Sequence, residues 1–496
     1  MWPTLRLRLP LVALTVASLV LGGCDYFAEQ GPVRVAVIGT NVKMSDPDKG
    51  RPNNVSQALL MATAQGLVSF DGDGQIEPGL AERWIVTDDG LSYIFRIRDA
   101  HWSNGDKVTT AHVAALLRAH ISPASRNRYA SEINGVASIK PMTSEVVEIR
   151  LERPLPHLLE ILAQPDMALL RGGRGWGPMT GKLESGGMLL SAKQAAPPGS
   201  DEEELIADDI PPVHLVARPA AKALARYINR EADVVLGGRF DTYPYVRAAG
   251  IADNRLIVDP AEGLFGLAFA HADGLLRTAN VRRAISMAID REALTASFGE
   301  ARWSPLLSLR PPLEKQDAAF APTLPSYASL SEQARIGEAR LIIAAARASM
   351  DHQPVLRIAL PDGPGADLLF TSVRADLRNI GLDAIKVKPT SAADLRLIDE
   401  VAPSRDPFWY ARSLSCAHMR VCNSDADARL KEASASTDPA VRAALLRETE
   451  ELLFDAAGYI PLAEPLRWSV TSPRSNALKP NPRARHPLNR LVTIPS

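Results

Sequence analysis

Residues 64–113 read AQGLVSFDGDGQIEPGLAERWIVTDDGLSYIFRIRDAHWSNGDKVTTAHV, and their punctuation sets the architecture of the first half of the chain. Val68-Ser69-Phe70 is a short strand closed by the polar turn Asp71-Gly72-Asp73-Gly74. Residues 84–86 and 91–97 then form a hairpin about Asp88-Asp89-Gly90, because an Asp-Gly pair takes the positive φ that tight hairpin turns require. Thr109 or Thr110 caps a helix running to about His120, with Val113, Leu116 and Leu117 on one face. Before this stretch, residues 57–67 have helical apolar spacing and 33–39 (VRVAVIG) alternate as a strand; after it, EVVEIRLE from Glu145 is another alternating strand.

Further along, residues 179–212 are rich in Gly, Ser, Ala, Pro and acid, and the run 201–204 (DEEE) reads as a solvated loop. Residues 220–229 are helical and 232–236 a strand; the apolar run 264–269, followed by a long helix over 281–298, is the crossing into a second lobe. That lobe has an α/β rhythm: helix 332–348, strand 355–360, helix 366–380, strand 384–387, with Gly381 where a helix C-terminus favours glycine. Residues 439–456 form one more amphipathic helix, 459–462 start the return, and the Pro-rich tail at 480–487 reads as irregular surface structure.

The formal charge is −1 over 496 residues, so the chain carries neither the basic face that nucleic acid requires nor a cationic surface for anionic lipid. Its start, MWPTLRLRLPLVALTVASLVLGGCDY, has a short basic stretch and an apolar run well short of the roughly 20 residues that span hydrocarbon, which marks an export signal over 1–23. Leu21-Gly22-Gly23-Cys24 resembles the lipobox of bacterial lipoproteins, which implies that Cys24 is acylated and holds the chain at a membrane, with Asp25 resembling a signal for staying at the outer leaflet of the inner membrane. Cys416 and Cys422 are the remaining cysteines, and a close pair in an exported protein is expected to bond and brace a loop. His418 alone does not complete a zinc set, and no metal or cofactor is expected.

Catalytic signatures such as HExxH, GxSxG and GxxxxGK[ST] are absent, so no catalytic residue is assigned. Asp71, Asp73, Gln75 and Glu82 have the spacing of calcium-loop ligands, but Ile76 stands where that loop needs glycine, which favours a plain turn. Asp406-Pro407-Phe408-Trp409-Tyr410 places aromatic area and a carboxylate together in a chain that is only 5% aromatic, which makes Asp406, Trp409 and Tyr410 ligand candidates. The plainer reading puts Phe408 and Trp409 in the core with Asp406 as a helix cap. Trp176, within Gly172-Gly173-Arg174-Gly175-Trp176-Gly177-Pro178, is a second candidate, with a packing turn as its alternative.

The 64–113 stretch resembles the signature of the family 5 solute-binding proteins, which bind dipeptides, oligopeptides, nickel and haem. The resemblance rests on Leu80-Ala81-Glu82-Arg83-Trp84, Asp89-Gly90 with Tyr93 and Phe95, Trp102 with Asn104-Gly105, and Val108-Thr109-Thr110-Ala111. It continues through Glu231-Ala232-Asp233-Val234, Val281-Arg282-Arg283-Ala284-Ile285, Asp406-Pro407 and Tyr459-Ile460-Pro461-Leu462, while 179–212 and 303–326 match poorly. It also makes Cys416 and Cys422 similar to the disulfide pair of dipeptide-type members.

What the resemblance implies is an α/β, two-lobed periplasmic binding fold of type II and cluster C-like form, with mixed sheets flanked by helices and hinged lobes around a central cleft. One lobe is expected over 24–263 completed by 462–496, the other over 264–461. A monomer of this kind captures a peptide-like or other polar solute and delivers it to an ABC permease. Peptide-binding members have an aspartate three residues before the Asp-Pro pair; this chain has Pro403 there, so only Asp399 or Glu400 could meet a peptide ammonium. A tethered sensor or assembly factor, which an isolated gene would favour over one beside permease genes, and a hydrolase, which would turn over peptides, are the rival readings.

Overall fold

In the computed structural model, which describes residues 31–193, 210–312, 320–348, 350 and 353–492, the strand Val33–Ile38 runs through the middle of a seven-stranded sheet. It pairs in parallel with Val213–Arg218 on one side and Val234–Arg239 on the other, and its apolar side chains are buried because both faces of the sheet are covered. The flanking strands are antiparallel: Arg467–Thr471 and Leu256–Asp259 beyond Val234–Arg239, and the hairpin Met179–Glu184 with Gly187–Ala192 beyond Val213–Arg218. That hairpin falls in the stretch whose composition gave no element; residues 194–209, including the DEEE run, lie outside the described residues, as do the export signal 1–23 and Cys24.

The 64–113 signature folds largely as expected. Ala81–Val86 and Ser92–Ile97 form the hairpin, with Gly90 at φ +66° and the Asp89 carboxylate accepting from the Leu91 amide at 2.9 Å. Thr109 caps the helix Thr110–His120 by accepting from the His112 amide. With Val146–Leu151 and Val136–Pro141 the hairpin makes a four-stranded antiparallel sheet with its own core, centred on Phe95, Trp102 and Val113. The Asp71 turn is a local one: its carboxylate accepts from the backbone amides of Asp73 and Gln75.

The other lobe is built on a five-stranded mixed sheet in the order Asp383–Val387, Val355–Ala359, Leu395–Val401, Gly263–Phe269, Tyr459–Ala463. Residues 281–298 are two helices, Ala279–Ala288 and Arg291–Ala296, rather than one. The helix breaks at Ile289 because Asp290 caps the second piece through the Ala293 amide, and the break turns Arg291 inward. Arg291 donates to the carbonyls of Pro461 and Ser286, and Arg282 to those of Ala456, Ala457 and Leu276, so both satisfy buried chain ends.

The chain leaves the seven-stranded sheet after Asp259, enters the five-stranded one at Gly263, and returns between Ala463 and Arg467. Each crossing is three residues long, and each carries a glutamate. The Glu464 carboxyl is pushed up to about 7 by burial and by the charge of Glu262 in the other crossing. A raised carboxyl favours the folded state while it is protonated, so this contribution is complete below pH 4.5 and is lost as pH rises to about 7. Glu464→Gln should therefore match the parent in stability below pH 4.5 and exceed it above pH 7 by on the order of 2 kcal/mol, measured by denaturant melts at both ends.

Candidate functional site

Between the two large sheets lies a cavity of ≈ 530 Å³, in the size range of small-molecule sites. One wall begins at the C-terminal end of Val33–Ile38, at Gly39 and Thr40. Next to it, Val234–Arg239 carries a bulge between Val235 and Gly238, with Gly237 at φ +84°. Such a bulge re-aims the side chains that follow, and here it turns Arg239 into the cleft. Gly238 has no room for a side chain: a Cβ there would lie 2.1 Å from the buried indole of Trp468, whose Nε1 donates to the Arg239 carbonyl at 2.9 Å. Replacing Gly238 by Ala should lower stability by about 2–3 kcal/mol, measured as a shift in the urea midpoint at unchanged slope.

The facing wall presents Asp399 and Val401 from the strand Leu395–Val401. The Asp399 side chain is 2% exposed and takes two guanidiniums from the opposite lobe, Arg239 at 2.7 Å and Arg467 at 2.7 Å. Burial alone would raise this carboxyl; the charges of Arg239 and Arg467 outweigh it and hold it below the ordinary carboxylate range. Neighbouring Glu400 pairs with Arg51 at 2.7 Å. Both acids that could have met a peptide ammonium are thus engaged by arginine. Pro403 contributes only its carbonyl, which accepts from Gln164 Nε2 at 2.8 Å.

Other bonds tie the lobes at the rim. Arg412 donates to Glu132 at 2.7 Å, the Arg405 amide to Glu160 at 3.0 Å, and Arg483 to the Ala402 carbonyl at 3.1 Å. On the side of the crossings an apolar cluster runs across both lobes through Phe240, Phe265 and Trp303, whose rings meet edge to face. The halves therefore share apolar packing and still enclose a cavity.

The proposed aromatic candidates sit elsewhere. Trp409 and Tyr410 are 4% and 1% exposed, in the core of the second lobe, and line none of the ≈ 530 Å³ cavity. Asp406 caps the helix Pro407–Ser413 and bonds Arg412, lining a separate interlobe groove of ≈ 350 Å³. Trp176 packs on the first lobe under Arg98 and Lys193, 4.9 and 5.0 Å from its ring. The glycines beside it let that loop press on the end of the helix Asn54–Thr63, since a Cβ on Gly175 would lie 2.1 Å from Ala64 Cβ. Of the five ligand candidates only Asp399 faces the cavity.

Residues missed in sequence are the arginines. Arg239 follows a Gly-Gly pair, a signal that a strand is being bent for a purpose. Arg483 and Arg485 lie in the tail assigned to the surface; it is irregular but largely interior, with Asn481 and Arg483 buried and Arg485 lining the cleft. Cys416 and Cys422 have their sulfurs 2.12 Å apart, bracing the loop between the helices Pro407–Ser413 and Ser424–Ala435.

The model for bacterial extracellular solute-binding proteins, family 5, matches residues 75–186 and 213–410. The glutathione-binding protein GsiB of Escherichia coli is 29% identical over 164 residues, 33% of this chain and 31% of that protein, so the match spans about a third of that relative's length. The "Probable di/tripeptide-binding protein 5" of Pseudomonas aeruginosa is 24% identical over 88% of this chain and 91% of its own. Among solved structures, the murein tripeptide binding protein MppA of Escherichia coli superposes with a TM-score of 0.79 at 17% identity, covering 94% of this chain and 99% of that one. The agropinic acid complex of AgaA from Agrobacterium gives 0.72 at 17% identity, over 94% and 99%. The two-lobed fold is theirs, and the chain belongs to family 5 of the bacterial extracellular solute-binding proteins.

Proposed function

We propose that this chain is the solute-capturing lipoprotein of an ABC importer: it closes on a polar solute in the cleft and presents it to a permease. The observation that carries the reading is the ≈ 530 Å³ cavity walled by both lobes, with Asp399 of one lobe held by Arg239 and Arg467 of the other. A joint bonded across its mouth but spanned, among the described residues, by two short crossings is suited to opening and closing. We place the division of the lobes at the two crossings, 260–262 and 464–466, within two residues of the expected 24–263 with 462–496, and 264–461. Asp399 is assigned to the ligand cleft, Asp406 to its outer rim, and Trp409, Tyr410 and Trp176 to supporting packing. The chain acts by binding, with no turnover.

The ligands named for its relatives, glutathione, a murein tripeptide and agropinic acid among them, differ enough that the fold does not choose one. Export explains the Cys416–Cys422 pair, since disulfides persist in oxidising compartments. Acylation of Cys24 would hold the protein beside its permease on the outer leaflet of the inner membrane, and among the described residues no helix is long and apolar enough to cross a membrane itself.

Two experiments test the reading. Native mass spectrometry of the purified protein should retain a small polar solute, whose removal lowers the melting temperature and whose return restores it; a solute at about 100 times its Kd contributes about 2.7 kcal/mol. A chain that holds nothing and is stabilised by nothing in a solute screen would overturn capture. Cys24→Ser should move the protein from the membrane fraction to the soluble periplasmic fraction without changing its melting temperature.

A further inference from the structure

Six arginines line the cleft, Arg51, Arg128, Arg239, Arg467, Arg483 and Arg485, against two carboxylates, Asp259 and Asp399. Several are matched by acids that stand behind the lining. Arg51 has Glu400, Arg483 has Glu160 and Glu262, and Asp259 accepts from the Asn481 amide and faces His486 at 3.2 Å. The inner wall is matched less fully: beyond Asp399, the charges of Asp241, Asp166 and Glu400 act on its arginines, with no close ion pair among the described residues. Among the described residues, Asp399 is the single carboxylate bonded to both Arg239 and Arg467. Arg128 meets Asp166 only at 3.7 Å, outside hydrogen-bond distance.

Among the described residues, the Arg485 side chain has amide partners only: it donates to Gln57 Oε1 at 2.7 Å and Gln164 Oε1 at 3.4 Å, and its buried Nε has no partner. Burial lowers the guanidinium pKa of both Arg467 and Arg485, the direction expected of cations short of counter-charge. Keeping buried cations beside a cavity is costly unless something that enters supplies the missing charge. An arginine fork suits this task, because its planar donors bind carboxylate or phosphate oxygens in pairs. An ammonium group would meet the same wall as a like charge.

Resting on the capture reading above, we infer that the cleft takes a small solute with at least two anionic groups, carboxylate or phosphate, seated among Arg128, Arg239, Arg467 and Arg485. The free α-ammonium of an ordinary peptide is not what the cavity recognises.

Citrate and the dipeptide Ala-Ala serve as probes on the detergent-solubilised full chain, with sodium chloride at equal ionic strength as reference. Citrate should raise the melting temperature by several degrees over chloride, and Ala-Ala should not. Arg485→Gln should weaken citrate binding at least about tenfold in calorimetry while raising the melting temperature of the solute-free protein, since it deletes an uncompensated charge. Should the first variant not fold, Arg128→Gln should weaken citrate binding to a similar extent. A response to citrate no larger than to chloride, or one that both variants retain in full, overturns the inference. An uncharged or amine-bearing solute found by native mass spectrometry, with no citrate effect, overturns the anion assignment and leaves capture standing. A chain that retains no solute and ignores citrate overturns both.

Discussion

The carboxylate of Asp399 is the point on which the closed arrangement turns. It belongs to the central strand of one lobe, and its two partners, Arg239 and Arg467, belong to adjacent strands of the other. A buried ion would be expensive alone, and two guanidiniums are what keep it ionised below the usual range. The same three groups fix the separation of the two sheets, and so the depth of the cavity between them. Moving the lobes apart returns all three to water, which lowers the cost of opening and leaves the closed form only modestly favoured by this contact.

Around that point the backbone is arranged to deliver the side chains. The bulge at Gly237 and Gly238 turns Arg239, Trp468 fills the space that a glycine leaves, and the irregular tail folds back to bring in Arg483 and Arg485. Arg239 and Trp468 sit on strands, but the bulge and the tail follow no regular geometry. The regular parts, by contrast, are held by apolar packing and by buried arginines such as Arg282 and Arg291 that satisfy carbonyls at chain ends. The residues of the 64–113 stretch are therefore architectural, and none of them lines the cleft.

This division explains what could be read in advance. Alternation, Asp-Gly turns and threonine caps are local signals, and they gave the hairpin over 84–97, the helix from Thr109 or Thr110 to about His120 and the α/β rhythm of the second lobe. The hairpin at 179–192 lacked the apolar run of a buried strand, since Met179–Glu184 is an edge strand exposed along most of its length. The break at Ile289 was hidden because apolar spacing continues through it, and only the Asp290 cap marks it. Asp399 was reached by counting from a family motif, but the arginines that meet it come from positions up to 160 residues away in sequence, and no local pattern reports such a convergence. Clustered aromatics misdirected attention because scarcity raises their apparent weight equally for a core and for a site; packing assigns Trp409 and Tyr410 to the core.

The two three-residue crossings restrict how the halves can travel. One runs out and one runs back, joining neighbouring strands of one sheet to strands bonded side by side in the other, so the lobes are joined along a line rather than at a point. A line joint permits swinging about its own axis and resists sliding or twisting. Shutting on a guest then removes freedom in a single angle, where two separate bodies meeting would surrender translation and tumbling in every direction. Most of the attraction between wall and guest is thus left to appear as affinity.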